Sequence, residues 1–322
     1  MQNTPKANVF KLIQKFLSSP PLIIWGSGAT VAYGLPTMGK LNEDIGNKIP
    51  EFNKKNDNLE VELSNDKYNE VMPNIKEVIW SSINDANSLA MDTLVNDSNH
   101  LFEPIKLMID KFKRAHPQII NIVTTNYDCI LENVMSFYGF TFTDGFNGRE
   151  FCRFDIEYFK DKKMINLVKV HGSLKWFFIN GEIRYLTNSL QNVTSAIIAP
   201  SKKKYQECFQ TPYRELIQKS DELINKASVF LVIGFGFNDE HLTPKIKEKV
   251  NQGIPIVLIT KSVTASTIAE LKGAKKYILL EEDTNCSSKT KITYKENDES
   301  ESIVLLLDEN YWSLKNFISE VL

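Results

Sequence analysis

The 322-residue chain is poor in several residue types and patterns. It has four cysteines, Cys129, Cys152, Cys208 and Cys286, and no two of them form a C-x-x-C pair. That spacing argues against a structural zinc site and against a disulfide-stapled mini-domain, while scattered single thiols suit a reducing compartment. The net charge is −2, and the basic residues are mostly Lys with few Arg. No strongly basic surface is expected, and so no direct nucleic-acid contact. Long hydrophobic runs are missing too: the longest, around Val229 to Phe237, falls far short of a membrane span. The first residues (Lys6, Phe10, Lys11, Leu12, Ile13, Lys15, Phe16) follow a helical period and lack the uninterrupted apolar stretch of a secretion signal. A cytoplasmic location is therefore expected, with no membrane contact. Hydrophobic residues make up 42% of the chain, enough at this length to bury a sizeable core.

The pattern alternates. An amphipathic helix over 8–18 is stopped by Ser18-Ser19-Pro20-Pro21, and Leu22-Ile23-Ile24-Trp25 reads as a buried strand. It leads into glycines and a small-residue helix ending near Gly34. Further strands are expected at Ile119–Thr124, Asn166–Val170, Ala196–Ile198, Val229–Ile233, Ile254–Thr260, Tyr277–Leu280 and Val304–Leu307. Helical patterns lie between most of them, at 128–138, 205–226, 240–251 and 264–272. Asn180-Gly181 marks a small hairpin. Residues 281–300 are polar and read as a surface loop, and a last helix carries Tyr311, Trp312 and Phe317. Between 41 and 118 the apolar residues fall at helical spacing (Ile75, Val78, Ile79, Ile83; Leu101, Ile105, Met108, Phe112), with a loose polar stretch near 53–67. The expected fold is α/β: a Rossmann-like, doubly wound, mostly parallel sheet over 1–40 and 119–322, interrupted by a helical insertion at 41–118.

In a parallel sheet the strands' C-terminal ends open on one edge, where ligands bind. Four loops there draw notice. Gly26-Ser27-Gly28-Ala29-Thr30 follows the first strand, where glycines let backbone approach a phosphate and a helix N-terminus offers N–H groups. Thr124-Thr125-Asn126-Tyr127-Asp128 follows the second; Asp128 serves equally as a helix N-cap and Asn126 as a turn former. His171-Gly172-Ser173 puts one of four histidines at a strand end, as a structural residue or as one facing a cleft. Gly234-Phe235-Gly236-Phe237-Asn238-Asp239 follows the most apolar strand, with Asn238 or Asp239 placed to cap the next helix. Together they form the outline of a dinucleotide cradle beside an amide, a carboxylate and an imidazole.

At these residues the sequence resembles the sirtuin family. The set is Gly26-Ser27-Gly28-Ala29-Thr30 with Gly34-Leu35-Pro36, then Thr124-Thr125-Asn126-Tyr127-Asp128, then His171-Gly172, then Gly234-Phe235-Gly236, in the family's order. Two departures stand out. Sirtuin deacylases follow Gly-Ile-Pro with Asp-Phe-Arg, where this chain has Thr37-Met38-Gly39, and they usually carry two C-x-x-C zinc pairs after the His-Gly, where this chain has a hairpin. These differences, with Gly234 to Leu242 and Tyr311-Trp312-Ser313-Leu314, look like the sirtuin-like branch of bacterial antiphage defence.

The resemblance implies that NAD+ is a substrate, hydrolysed to nicotinamide and ADP-ribose in abortive infection, with no metal required. It implies control by a partner, such as a HerA-type ATPase or a short Argonaute, and homo-oligomerisation. By the same resemblance Asn126 orients the ribose or the attacking water, Asp128 supports the carboxamide pocket and His171 accepts a proton. Gly26, Ser27, Gly28, Ala29, Thr30, Pro36, Thr125, Gly234, Phe235, Gly236, Asn238 and Thr260 are the expected dinucleotide-binding residues. A free imidazole titrates near pH ~6.5, which suits the base role. Two other readings remain: an NAD-dependent protein deacylase, and a non-catalytic subunit that binds NAD or ADP-ribose.

Overall fold

The structure is a computed structural model that describes residues 4–53, 59–161, 163–188, 193–200 and 207–322. Parts of two expected features, the polar stretch at 54–58 and the start of the helix at 205–206, lie outside the described residues. The strands are β1 (Leu22–Trp25), β2 (Asn121–Thr124), β3 (Phe142–Thr143), β4 (Phe146–Asn147), β5 (Phe151–Phe154), β6 (Ile165–Lys169), β7 (Gly172–Ile179), β8 (Glu182–Leu186), β9 (Ser195–Ile197), β10 (Phe230–Ile233), β11 (Ile256–Ile259), β12 (Tyr277–Asp283), β13 (Cys286–Lys295) and β14 (Ile303–Leu307). The helices are α1 (Pro5–Phe16), α2 (Met38–Lys48), α3 (Leu59–Leu63), α4 (Met72–Val95), α5 (Glu103–Arg114), α6 (Ile130–Phe137), α7 (Tyr213–Lys226), α8 (Thr243–Asn251), α9 (Ala265–Leu271) and α10 (Leu314–Asn316), the last running into a π-helical turn at Phe317–Val321.

The main sheet has nine strands in the order β14-β13-β12-β11-β10-β1-β2-β6-β3. From β3 to β12 the pairs are parallel; β12, β13 and β14 form an antiparallel flank. The fold is the expected α/β arrangement with a mostly parallel central sheet. β1 lies between β2 and β10, so the chain builds outward from it first to one side and then to the other. That makes the C-terminal end of β1 the point where strand order reverses, the place where such sheets bind ligands.

The central strands read as continuous apolar runs because both faces are covered. Ile23 and Trp25 of β1 and Leu231 and Ile233 of β10 face a core shared with α1, α2, α4, α5 and α6. Leu22, Ile24, Phe230 and Val232 face the opposite core, shared with α7, α8 and the second sheet. Helix α4 buries Ile75, Val78, Ile79, Ile83, Asn87, Ala90 and Leu94, a stripe at three- and four-residue steps. The closing aromatics Tyr311 and Phe317 are buried in the chain's own core.

Three expectations need correction. Residues 281–300 are not a loop: most of them form the end of β12 and all of β13. Their polarity reflects a strand at the sheet's edge region, where Thr290 and Ile292 are buried while Lys291 and Thr293 are only half-buried. Ala196 to Ile198 is not part of the parallel sheet. It contributes β9 to a second, antiparallel sheet, β4-β5-β8-β7-β9, whose β7–β8 hairpin turns at Asn180 and Gly181 with φ of 50° and 82°. The helix expected after β1 is two short 3₁₀ turns, Ser27–Ala29 and Val31–Tyr33, ended by Gly34 in the left-handed region. Among the described residues no helix is long and apolar enough to cross a membrane.

Candidate functional site

The loops after β1, β2, β6, β10 and β11 enclose a cavity of about 580 Å³, within the usual range for small-molecule sites. Ser27, Gly28, Thr30, Pro36, Thr125, Asn126, Asp128, His171, Gly234, Phe235, Gly236, Asn238 and Thr260 all line it. Gly26 and Ala29, expected among the dinucleotide-binding residues, do not.

Gly26 has a different role. A Cβ there would lie 2.4 Å from the Gly234 carbonyl oxygen, so the missing side chain allows the β1 and β10 loops to pack together. The amide of Gly28 donates to Gly234 O at 2.9 Å, that of Ala29 to Gly26 O at 3.1 Å and that of Thr30 to Ser27 O at 3.2 Å. These N–H groups are thus engaged within the protein, unlike the open helix N-terminus that the glycine spacing suggested.

Asn126 is fixed from two sides. Its backbone N–H donates to Thr124 Oγ1 at 3.0 Å, and Thr124 Oγ1 in turn donates to Trp25 O at 2.7 Å. Its side-chain Nδ2 donates to Gly26 O at 3.1 Å. This sets the amide's orientation and leaves Oδ1 buried with no hydrogen-bond partner among the described residues. A buried unpaired acceptor is costly, on the order of 1–3 kcal/mol, and in a cavity wall it marks a place for a donor such as water or a hydroxyl.

Asp128 is both helix start and cavity wall. Its Oδ1 accepts from the Ile130 amide at 3.2 Å, at the head of α6. The Thr30 hydroxyl, on the first loop, donates to Ser27 O at 3.1 Å. Burial pushes the Asp128 carboxyl up from the ordinary range, against the pull of Lys169. Lys169, buried at the end of β6, donates to Glu132 Oε1 at 2.7 Å and to the Asp128 carbonyl. Burial alone would lower its ammonium, but the Glu132 carboxylate, with Cys129 and Asp128, outweighs this and holds it above its usual value. Lys169 thereby links the strand that carries His171 to the loop that carries Asn126.

His171 is 7% exposed. Its Nε2 lies 3.2 Å from Asp239 Oδ2, within ion-pair reach, yet makes no aligned hydrogen bond among the described residues. The short distance matters more than the misalignment, because a small ring rotation corrects the latter. The ring of His241 stands edge-on to it, centroids 5.9 Å apart. Cys129, next to the site, is buried, and that burial pushes its thiol up to about 12; it is an inert core residue.

The sequence pattern missed part of the wall: Leu35, Met38, Leu41, Leu59, Glu60, Ile83, Tyr127, Pro200, Asp239, Ser262 and Thr264. Asp239 was legible only as a cap. Leu59, Glu60 and Ile83 come from α3 and α4, and helical periodicity does not say which residue of a helix meets a cavity. Among the described residues there is no group of three or more His, Cys, Asp or Glu able to hold a metal ion.

A family model described as a SIR2-like domain matches residues 120–254, from just before β2 to just past α8. Solved structures of sirtuins are similar in fold. One is a Sir2 homologue in complex with NAD, at 14% identity, covering 86% of this chain and 88% of that one, with a TM-score of 0.47. Another is a mutant Sir2 homologue with ADP-ribose, at 13% identity, covering 83% and 88%, with a TM-score of 0.46. A third is Sir2 bound to an acetylated peptide, at 10% identity, covering 80% and 88%, with a TM-score of 0.44. No curated protein matches the chain.

Proposed function

We propose that the chain is an NAD+ glycohydrolase, releasing nicotinamide and ADP-ribose. The observation that carries this reading is the pair of polar side chains that line one cavity, Asn126, whose buried Oδ1 has no hydrogen-bond partner among the described residues, and His171. An oriented acceptor and an imidazole across a cleft suit water attack on a sugar carbon. The SIR2-like match over the segment holding both residues supports a nicotinamide coenzyme as the molecule that fits.

In this reaction the bond between ribose C1′ and the nicotinamide nitrogen breaks. Its electron pair neutralises the ring's positive charge, so the leaving group needs no proton. The protein's task is to hold the ribose, stabilise the developing cationic centre and admit one water. Asn126 Oδ1 accepts a hydrogen bond from that water or from a ribose hydroxyl. His171 takes the proton as the new C–O bond forms and returns it to solvent. Glu60 and Asp239 in the cavity wall favour a site where positive charge accumulates. The β1 and β10 loops, with Thr260, hold the pyrophosphate and adenosine portions.

Such an activity would deplete cellular NAD, in keeping with a role in antiphage defence under the control of a partner. The test is nicotinamide release from NAD+ by the purified chain, alone and with an acetyl-lysine peptide. Release without peptide is the expected result. Release only with peptide would identify a deacylase, and tight NAD binding without any release a sensing module; either outcome replaces this proposal.

A further inference from the structure

The loop between β10 and α8 does more than line the cavity. Asp239 Oδ1 accepts from the amides of His241 at 3.0 Å and Leu242 at 2.8 Å, which fixes the carboxylate at the head of α8. Its second oxygen, Oδ2, is the one 3.2 Å from His171 Nε2. Both side chains are more than nine-tenths buried. The loop adopts a costly conformation to bring them together: Phe237, a bulky buried residue, has a φ of 57°. Such strain persists only where packing enforces it, and here Phe237 packs edge-on against Phe235 with centroids 5.2 Å apart.

We infer that Asp239 is a positioning residue for His171: it holds the Nε2–H edge of the imidazole, leaves Nδ1 to accept the proton, and stabilises the imidazolium that results. This rests on the hydrolytic reading of the site. The balance is simple. Water loses a proton to Nδ1 as its oxygen bonds to C1′, and the positive charge gained by the ring lies against the Asp239 carboxylate. A carboxylate behind the imidazole fixes the tautomer and supports the charged form without itself taking the proton. The other ionisable groups around the ring are His241 on the same loop, Asp128 after β2 and Glu60 on α3, which line or border the same cavity. Lys169, two residues before His171, is engaged with Glu132.

The alternative is that Asp239 merely caps α8. Asp239→Asn separates the two, because Asn retains a cap acceptor but carries no charge. The expected result is a fall in kcat of about 10²- to 10⁴-fold, with KM within about threefold and an unchanged melting temperature. Asp239→Glu should recover part of the loss. The acid limb of the rate profile should move to lower pH in Asp239→Asn, since the base loses the group that favours its protonated form. In ¹⁵N-histidine NMR, neutral His171 should carry its proton on Nε2 in the wild type and lose that tautomer preference in the same variant. Wild-type kcat in Asp239→Asn, or a His171 tautomer that the substitution leaves unchanged, overturns the inference. The NMR tautomer assignment needs no turnover, so it decides the pairing even if wild-type protein releases no nicotinamide, a result that would count against the hydrolytic reading alone.

Discussion

Gly28 and Gly234 meet across the mouth of the sheet: the Gly28 amide donates to the Gly234 carbonyl at 2.9 Å, and a Cβ on Gly28 would lie 2.9 Å from that same oxygen. The glycines of the β1 and β10 loops therefore serve loop-on-loop packing. A Cβ on Gly234 would be worse, at 2.1 Å from the Ala29 nitrogen, with a backbone φ of +58° that L-residues rarely adopt.

Gly234→Ala is expected to destabilise the protein by several kcal/mol, on the order of 2–4, through backbone overlap and strain. Gly236→Ala, whose added carbon would meet only the Asn238 side chain at 3.4 Å, should fold normally. Thermal melts of the two variants side by side check this; equal stability would show that the loops separate without cost.

Asn126→Ala and His171→Ala should each reduce nicotinamide release by at least about a hundredfold, the usual scale for losing an orienting or acid–base group. Both should fold. A variant with near-normal turnover removes its residue from the mechanism.

Lys169→Met leaves Glu132 buried without its cation, and breaking such a pair typically costs about 3–5 kcal/mol. It also strips a donor from the Asp128 carbonyl, so activity should fall with stability. Replacing Glu132 as well, in Lys169→Met/Glu132→Leu, should recover much of the stability and little of the activity. Urea unfolding of the single and double variants measures the first, nicotinamide release the second.

Asp144 provides a pH test. Burial pushes its carboxyl up to about 6, from 3.8 for the free side chain. The folded state thus binds this proton more tightly than the unfolded state. The group's contribution to stability is full below about pH 4 and is lost as pH rises through about 6. Asp144→Asn keeps an acceptor for the Phe146 amide, now at 3.0 Å from Oδ1, and cannot ionise. It should gain about 1–3 kcal/mol over wild type at pH 7.5 and almost nothing at about pH 3. Urea midpoints at the two pH values decide it; an equal effect at both would mean that the ionisation of Asp144 does not matter to stability.

Much of the fold was readable because its signals are local. Apolar runs such as Leu22–Trp25 and Phe230–Ile233 announce strands covered on both faces, and the period of α4 announces a buried stripe. The errors arose where context decides. Residues 286–295 look like a polar loop because their strand pairs near the sheet's edge, and Ala196 looks like another parallel strand because its partner, β7, is antiparallel only in space. The glycines after β1 promised a helix N-terminus, but the contact with Gly234 holds that segment in 3₁₀ turns.

The sequence by itself determined that strands alternate with helices and that Asn126, Asp128 and His171 follow strands, because hydrophobic period and turn chemistry act over a few residues. Only the tertiary structure decided that Asn126 is oriented by Gly26, that Lys169 joins two of the loops, and that Asp239 stands behind His171. Those pairings form between segments far apart in the chain, and their geometry comes from strand order and packing, which no local pattern encodes.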